Sequence, residues 1–415
     1  MKVNRKAIGV CEAQRKIRSY IRLQHSVSVE LQQAFGRRLA EDITASHPVP
    51  RFVKSGMDGF AVKSEDLYGA TVEHPVILEV NQTIPCGSVP GLPVKKGQAS
   101  RIMTGAPLPS GADTVVMFEM TEDRIIDGKP FVSIQKEAIK GKNVSHIGEE
   151  IEEKEFLCGR GSRINAGEAA LLATFGHDKV NVFAKPRVAI FTTGSELLAI
   201  NEPIAPGKIR NSNLFMLSSL VQEAGGELVY TAVLPDTKEE AKTMIYDTLD
   251  RAQLIITTGG VSVGDFDLMA DFYAELQGQL LFNKVAMRPG SVTTAGVADN
   301  TLLFGLSGNP GACFVGFELF VRPVLYAMQG KQEPYPLQFQ AYLKGDFTKA
   351  SGYTRYVRGK TTFAHGCVFV EPVGKDQSSV TVSIKDADCL ILIPPGGNGK
   401  QDGELVEAIK LDLIR

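Results

Sequence analysis

Two glycine-rich loops with acidic side chains follow apolar segments in the second half of the chain. The first loop, TGSE (Thr193–Glu196), begins at the last residue of the run RVAIFTT. The second, TTGGVSVGDFD (Thr257–Asp267), begins at the last two residues of the run QLIITT. Small residues let backbone N–H groups approach an anion, and a helix N-terminus favours phosphate. Carboxylates such as Asp265 and Asp267 repel phosphate unless a divalent cation bridges them, and Glu196 suits a metal or a ribose hydroxyl. The pattern predicts a metal–phosphate site.

Simpler interpretations of both loops stay open. TGSE is compatible with an ordinary tight turn between a strand and the next element. One aspartate of the second loop is equally suited to be the N-cap of the following helix.

Three further segments bring charge and hydroxyl groups to the same region. They contain Asp236 after a second strand, Lys284, Arg288 and Ser291 in NKVAMRPGS, and Ser307, Gly308 and Asn309 in GLSGNPG. A guanidinium such as that of Arg288 keeps its charge and grips an oxyanion through two donors. Isolated loop charges are usually only solvated, but together these segments favour an anionic ligand.

Two loops of the first half also contain candidate chemistry. SGMDGFAV places the carboxylate of Asp58 between two glycines, and RIMTGAPLPSGAD is dense in turn-forming residues. Each is equally compatible with a hairpin turn, and the sequence gives no means of placing them beside the other loops.

Strands and helices alternate between residues 186 and 330, which predicts a parallel sheet with its ligands at the carboxyl ends of the strands. The predicted strands are Arg187–Thr193, Glu227–Val233, Gln253–Thr258, Phe282–Met287 and Leu302–Leu306. The predicted helices are Asn211–Glu223, Lys238–Arg251, Asp267–Gln277 and Gly311–Met328.

The regions before residue 186 and after residue 330 show different sequence patterns. Apolar spacing of three and four predicts helices before Leu39, including Val29–Leu39, and again at Asn165–Phe175. Short β-branched runs separated by Pro and Gly predict a β-rich insert and a small C-terminal β-barrel or sandwich, in which Ser379–Ile384 is one strand. The predicted fold class is multidomain, with a central three-layer α/β domain and a mostly parallel sheet. The domains are a helical linking domain (1–46 with 145–185), the β-rich insert (47–144), the α/β domain (186–330) and the C-terminal β domain (331–415).

Composition narrows the function classes. The 415 residues have a net charge of −2, which argues against nucleic acid as a partner. Six scattered cysteines without a CxxC pair suit a reducing compartment, so we expect a cytoplasmic protein. No signal peptide and no membrane span are expected, because the longest apolar stretch, Phe314–Met328, contains Glu318 and Arg322.

The ordered motifs SGMDGFAV, RIMTGAPLPSGADTVV, GEEI, TTGSEL, TTGGVSVGDFD, KVAMRPG and GLSGNP resemble those of the MoeA family of molybdopterin molybdenumtransferases, which includes the gephyrin E domain. The resemblance implies Mg²⁺-dependent insertion of molybdate into adenylylated molybdopterin, with release of AMP. It also implies an elongated homodimer in which the insert of one subunit faces the α/β domain of the other. Molybdopterin adenylyltransferase and molybdoenzyme apoproteins are further implied partners.

The resemblance assigns roles residue by residue. The implied catalytic residues are Asp58, Thr104, Glu196, Asp236 and Asp267, and the implied Mg²⁺ ligands are Asp267, Glu196 and Asp236. The implied substrate-binding residues are Gly194, Ser195, Gly259, Gly260, Ser262, Lys284, Arg288, Ser307, Gly308 and Asn309, together with Arg355 or Arg358 and Ser379 in the last domain.

The chain departs from the family pattern at several positions. The family commonly has Asp at Glu150, Lys at Arg288 and Ser291, Pro at Ser307 and a Ser near Ala312, so the departures fall among the implied molybdate contacts. Two alternative functions remain: molybdopterin adenylyltransferase, whose single domain resembles residues 186–330, and a non-catalytic gephyrin-like scaffold.

Overall fold

The computed structural model describes residues 6–235, 237–259, 278–349 and 351–412. The chain divides into two compact units. The first unit comprises Met1–Glu41, Arg160–Ala169 and Asp178–Arg415, and the second comprises Asp42–Gly159 and Ala170–His177. The predicted helix Asp267–Gln277 and the site residues Asp236, Gly260, Ser262 and Asp267 lie outside the described residues.

A six-stranded sheet forms the centre of the first unit. Its strands, in spatial order, are Glu227–Leu234, Arg187–Thr193, Leu254–Thr258, Thr301–Leu306, Thr294–Ala298 and Gln279–Phe282. The first four are parallel, and the last two are antiparallel to their neighbours. The mostly parallel sheet is therefore confirmed, and its parallel strands end at a common edge.

Apolar layers cover both faces of this sheet. Val188 and Ile190 pack into one core with helix Ser212–Glu223 and the segment Pro310–Met328. Phe191, which points the other way, packs with helix Lys238–Tyr246. Alternate residues of a strand face opposite sides, so this division produces the predicted three layers.

The segment Pro310–Met328 is the longest helical segment of the first unit within the described residues. It consists of α-helix Pro310–Gly316, a π-helical turn Phe317–Val321 and α-helix Arg322–Met328. By length and composition it is apolar enough to cross a membrane, but 94% of it is buried inside the protein. Its charged pair, Glu318 and Arg322, is joined at 2.7 Å and is itself buried, as expected of a core helix.

A closed five-stranded barrel follows in the same unit. Its strands are Gln338–Leu343, Thr354–Ala364, Cys367–Pro372, Cys389–Ile393 and Leu405–Lys410. Strand Thr354–Ala364 pairs with both Cys367–Pro372 and Cys389–Ile393, which closes the barrel. The predicted C-terminal β domain is confirmed, but the predicted strand Ser379–Ile384 is wrong, because Val382–Ile384 is a turn of 3-10 helix.

The second unit contains its own six-stranded sheet. Its spatial order is Thr114–Met117, Gly59–Val62, Gln98–Ile102, Val76–Ile84, Lys129–Ile134 and Thr121–Ile126. Alternate residues such as Phe60 and Val62 pack in its core with Leu78 and Val132. The predicted β-rich insert is thus a sheet with a buried face.

The linking segments are less helical than predicted. Their described residues contain helices Val10–Arg18 and Ala166–Thr174, but the predicted helix Val29–Leu39 is wrong. Residues 29 and 30 instead end strand Ser26–Glu30, which pairs with Lys179–Phe183, and Leu31–Gln33 is a turn of 3-10 helix. Two more short pairs follow: Ile43–Thr44 with Phe156–Cys158, and Lys54–Ser55 with Val144–Ser145.

Candidate active site

The carboxyl ends of the parallel strands pack backbone against backbone. Gly259 has φ +86°, and a Cβ atom there would overlap Thr193 O and lie 2.8 Å from Thr193 Oγ1. A Cβ at Gly308 would lie 3.0 Å from the Cα of Gly259. Three loops therefore meet at distances that only glycine permits.

Two asparagines at the start of helix Ser212–Glu223 tie these loops together. Asn211 is the N-cap, and its Nδ2 donates to Thr192 Oγ1 at 2.8 Å. Asn213 Nδ2 donates to Thr258 Oγ1 at 3.0 Å and to Gly308 O at 2.8 Å. Because these bonds are buried, they fix the positions of the strand ends.

A cavity of about 730 Å³ opens beside these loops, and we call it the glycine-loop cavity. Its lining includes Thr192, Thr193, Glu196, Asn211, Asn213, Thr258, Gly259, Ser307, Gly308, Asn309, Ser379 and Thr381. Hydroxyl, amide and backbone groups at the carboxyl edge of the sheet form part of the wall, and the side chains of Leu197, Ile209 and Arg210 form another part. This is where an open α/β sheet binds its ligand.

Glu196 supplies a carboxylate to the glycine-loop cavity. Its side chain folds over Gly194, which has φ +140°, so that any Cβ there would overlap the carboxylate oxygens. The side chain is exposed, and Lys208 Nζ donates to the neighbouring Ser195 O at 2.6 Å. Glu196 is thus available to a ligand.

The donors near Glu196 suit a hard divalent cation. The Oγ1 atom of Thr193 is buried and has no hydrogen-bond partner within the described ranges. This hydroxyl and the Glu196 carboxylate line the same cavity and both offer oxygen, which is the ligand type Mg²⁺ prefers. The described residues therefore fit the predicted metal, and the other two predicted ligands, Asp236 and Asp267, lie outside them.

A second cavity, of about 620 Å³, is basic, and we call it the arginine cavity. Strand Met287–Arg288 pairs in parallel with Thr354–Arg355 of the barrel, which sets Arg288 beside Arg355. Both arginines line this cavity, as do Ser291, Tyr353 and Asp376. The pairing of an α/β segment with a barrel strand thus creates a site with two guanidinium groups.

Arg355 and Arg358 have different roles in the structure. Arg355 Nη1 donates to Asp376 Oδ2 at 2.8 Å at the cavity wall. Arg358 is buried, and it donates to Ser383 Oγ at 2.8 Å and to Gln377 O at 3.0 Å. Burial lowers the pKa of the Arg358 guanidinium below its ordinary value. Arg355 therefore faces the cavity, whereas Arg358 holds the loop that contains Gln377.

That loop closes on the start of helix Pro310–Gly316. Gly311 N donates to Ser378 O at 2.8 Å, and a Cβ at Gly311 would overlap the Arg358 guanidinium. The loop adds Ser378 to the arginine cavity and Ser379 to the glycine-loop cavity. The two cavities also share Val292, Ser307 and Asn309 in their linings, so they adjoin.

Cys313 lies directly beneath this edge. Its Sγ is 3.5 Å from Thr258 Oγ1, and burial raises its pKa to about 12. The thiol therefore stays protonated at neutral pH and is a poor nucleophile or metal ligand.

In the second unit, the two candidate loops meet each other. Asp58 Oδ1 accepts hydrogen bonds from Thr104 N at 2.6 Å and from Thr104 Oγ1 at 2.8 Å. The backbone N–H of Thr104, followed by its hydroxyl, lowers the pKa of Asp58 below its usual value. Asp58 is therefore an exposed carboxylate that stays ionised at neutral pH.

Among the predicted site residues of the first unit that the structure describes, most line the two cavities, but not all. Glu196, Gly259, Ser307, Gly308, Asn309 and Ser379 line the first cavity, and Arg288, Ser307, Asn309 and Arg355 line the second. Gly194, Ser195, Lys284 and Arg358 line neither of the two. Sequence reasoning did not assign Thr193, Asn213, Thr258, Tyr353 or Asp376 to the site. Both strand sequences, RVAIFTT and QLIITT, end in two threonines, and this pattern could have identified Thr193 and Thr258 as site residues.

Comparison with known proteins agrees with this architecture. Three family models match in order: the MoeA N-terminal region (domain I and II) over 8–176, a probable molybdopterin binding domain over 189–327, and the MoeA C-terminal region (domain IV) over 340–411. The molybdopterin molybdenumtransferase of Staphylococcus epidermidis is 44% identical over 405 residues, which cover 98% of this chain and 96% of that protein. The Bacillus subtilis protein of the same name is 43% identical over 411 residues, which cover 99% and 95%.

Solved structures give the same result. Two structures of the molybdopterin biosynthesis MoeA protein from Pyrococcus horikoshii match 98% of this chain. One is 32% identical with a TM-score of 0.80 and is covered over 99% of its length; the other is 29% identical with a TM-score of 0.82 and is covered over 100%.

The fold and the site define a multidomain α/β protein with a glycine-lined and a basic cavity at one sheet edge. The chain belongs to the MoeA family.

Proposed function

We propose that this chain inserts molybdate into adenylylated molybdopterin in a Mg²⁺-dependent reaction that releases AMP. Membership of the family makes the chain a transferase of molybdenum cofactor biosynthesis. The observation that supports the finer proposal is that the glycine-loop cavity and the arginine cavity adjoin at Ser307 and Asn309. One site thus has a place for a nucleotide-linked phosphate beside a place for a small oxyanion.

The glycine-loop cavity suits the phosphoanhydride of the first substrate. Small residues at Gly259 and Gly308 let backbone groups approach phosphate oxygens, and Ser379 and Thr381 add hydroxyls. Addition of one water across the anhydride leaves a phosphate on molybdopterin and releases AMP. The chain's part is to align the anhydride and to stabilise the charge that develops as it breaks.

The arginine cavity suits molybdate, which is a tetrahedral dianion. Arg288 and Arg355 supply two fixed positive charges, and Ser291 supplies a hydroxyl. Asp376 pairs with Arg355 and holds its guanidinium in place at the wall. The two sulfur ligands that replace oxygens on molybdenum belong to molybdopterin, so the protein's part is to hold the oxyanion beside them.

Mg²⁺, when bound, neutralises negative charge on the phosphate oxygens. Glu196 and the Thr193 hydroxyl would hold it from the described part of the glycine-loop cavity. Asp236 and Asp267 complete the proposed ligand set.

The experiment that tests this proposal is an anaerobic assay of AMP release from adenylylated molybdopterin. We expect release that requires both molybdate and Mg²⁺. Formation of adenylylated molybdopterin from molybdopterin and ATP would instead favour an adenylyltransferase. The absence of either activity, with the protein folded, would favour a scaffold.

We also propose that the working form is a homodimer in which Asp58 and Thr104 of one subunit face the glycine-loop cavity of the other. Co-expression of Asp58→Asn and Glu196→Gln subunits tests this, because a mixed dimer then contains one fully intact site. Activity in purified mixed dimers supports the arrangement. Inactive mixed dimers contradict it, because residues from one subunit would then form each site.

A cytoplasmic location, and contacts with molybdopterin adenylyltransferase and molybdoenzyme apoproteins, complete the proposal. They follow from the reaction, because its substrate is made by the first of these proteins and its product is used by the second.

A further inference from the structure

Among the described residues, the side-chain amide of Asn213 has hydrogen-bond partners for its nitrogen but none for its oxygen. Asn213 is 8% exposed and lines the glycine-loop cavity. Its Nδ2 donates to Thr258 Oγ1 and to the carbonyl oxygen of Gly308. Its Oδ1 is buried and has no hydrogen-bond partner in the part of the chain that the structure describes.

The orientation of this amide is fixed by its neighbours. A backbone carbonyl only accepts hydrogen bonds, so the group that faces Gly308 O must be the NH₂. Thr258 Oγ1 donates its own hydrogen to Ser307 O at 3.0 Å, so it too accepts from Asn213. A flip of the amide would set two carbonyl oxygens against each other, and Oδ1 therefore remains on the opposite side, as the unpaired acceptor of a residue that lines the cavity.

Asn211 provides a contrast two residues earlier. It is equally buried, at 6% exposed, but its Oδ1 accepts from Leu214 N at 3.3 Å and its Nδ2 donates to Thr192 Oγ1. Both the oxygen and the nitrogen of its amide thus have a partner within the protein. The unmet acceptor is thus particular to Asn213 and is not a general property of this helix start.

We infer that Asn213 Oδ1 accepts a hydrogen bond from a neutral O–H or N–H group on the organic part of the substrate, and that Asn213 is a specificity-determining residue. The inference rests on the proposed function. Phosphate oxygens of an ionised anhydride have no hydrogen to donate, so the partner is a donor of the nucleoside (a ribose hydroxyl or the adenine amine) or an N–H group of the pterin ring. A buried acceptor discriminates strongly, because a ligand without the donor leaves it unpaired.

Calorimetric titration with AMP, 2′-deoxy-AMP, 3′-deoxy-AMP and anaerobic molybdopterin separates the two sources. Wild-type protein and Asn213→Ala are compared, each with and without Mg²⁺. If a ribose hydroxyl is the donor, its removal weakens AMP binding to the wild type by about tenfold and does not weaken binding to Asn213→Ala. If the adenine amine is the donor, Asn213→Ala weakens the binding of AMP and of both deoxy forms by the same factor. If the pterin is the donor, Asn213→Ala weakens molybdopterin binding by a similar factor and leaves AMP binding unchanged.

Ser219→Ala is the control, because Ser219 is exposed on the same helix and lines neither cavity. It should give the wild-type ratio of AMP to deoxy-AMP affinity and the wild-type affinity for molybdopterin. Asn213→Ser replaces Asn213→Ala in the same titrations if the latter does not fold.

Three outcomes overturn the inference. Equal binding of every ligand to wild type and Asn213→Ala excludes a contact. If Asn213→Ala binds the ligands more weakly than the wild type only when Mg²⁺ is present, Asn213 is a metal ligand instead. Failure of the wild type itself to bind AMP or molybdopterin refutes the proposed function rather than the role of Asn213 alone.

Discussion

The two cavities at the sheet edge are built in different ways. Backbone contacts among successive strand ends form the glycine-loop cavity, where Gly259 and Gly308 lie against each other and against Thr193. Side chains from distant segments form the arginine cavity, since Arg288 and Arg355 meet only through a short parallel strand pair. We expect the first cavity to be rigid, because its backbone segments are in close contact, and the second to tolerate changes in its side chains. Mutations in the glycine-loop cavity should therefore affect catalysis and stability, whereas mutations in the arginine cavity should affect substrate affinity.

The largest effect is expected from Glu196→Gln. Glu196 is a proposed Mg²⁺ ligand, so its replacement should weaken stabilisation of the developing phosphate charge and lower kcat by about a hundred- to a thousand-fold. The melting temperature should not change, because Glu196 is exposed. The assay is AMP release, with Glu407→Gln, an exposed glutamate of the barrel, as the control. Wild-type turnover in Glu196→Gln would remove this residue from the catalytic set.

Gly259→Ala tests the rigidity of the glycine-loop cavity. The added methyl group would overlap Thr193 O at a residue with φ +86°, so we expect a loss of about 2–3 kcal/mol in the free energy of unfolding. Gly345→Ala is the matched control, with φ +77° and nothing within 4 Å, and should cost only about 1 kcal/mol. Urea unfolding measures both. Equal losses in the free energy of unfolding would show that the close approach of the loops at Gly259 contributes nothing to stability.

Arg288→Ala tests the arginine cavity. We expect the KM for molybdate to rise about tenfold, because a charge-assisted contact is lost, while the KM for adenylylated molybdopterin stays unchanged. Arg288→Lys should retain most of the affinity, since the charge remains. Parallel rises in both KM values would mean that the cavities do not divide the substrates between them.

Ser291→Lys should have the smallest effect and the opposite sign. Ser291 lines the arginine cavity where the family commonly has lysine, so an added charge should lower the KM for molybdate about twofold at low salt. The gain should disappear at high ionic strength. A KM for molybdate that stays the same in low salt would show that Ser291 lies too far from the oxyanion.

Local patterns were sufficient for the glycine-loop side of the site. Strand Arg187–Thr193 and helix Asn211–Glu223 follow from short-range rules, and the structure confirms the strand and has the helix at Ser212–Glu223 with Asn211 as its N-cap. The order of the strands then brings the loops to one edge. Strand Thr294–Ala298 was missed because its small residues have low β propensity, and its place in the sheet comes from long-range pairing.

The other errors also arise from long-range contacts. The segment predicted as helix Val29–Leu39 begins in strand Ser26–Glu30, which pairs with Lys179–Phe183, some 150 residues later. Nothing local distinguishes Arg355 from Arg358, yet the barrel register leaves one at the cavity and buries the other against Ser383. Likewise, the pairing of Asp58 with Thr104 requires the fold of the insert, because sequence spacing alone does not bring those loops together.

The most direct test of the two-cavity account is a crystal soaked with AMP and tungstate, with tungsten located by its anomalous scattering. The account predicts a tungsten peak between Arg288 and Arg355, and the AMP phosphate beside Gly259 and Gly308. A tungsten peak away from both arginines, or a nucleotide bound in the arginine cavity, would contradict it.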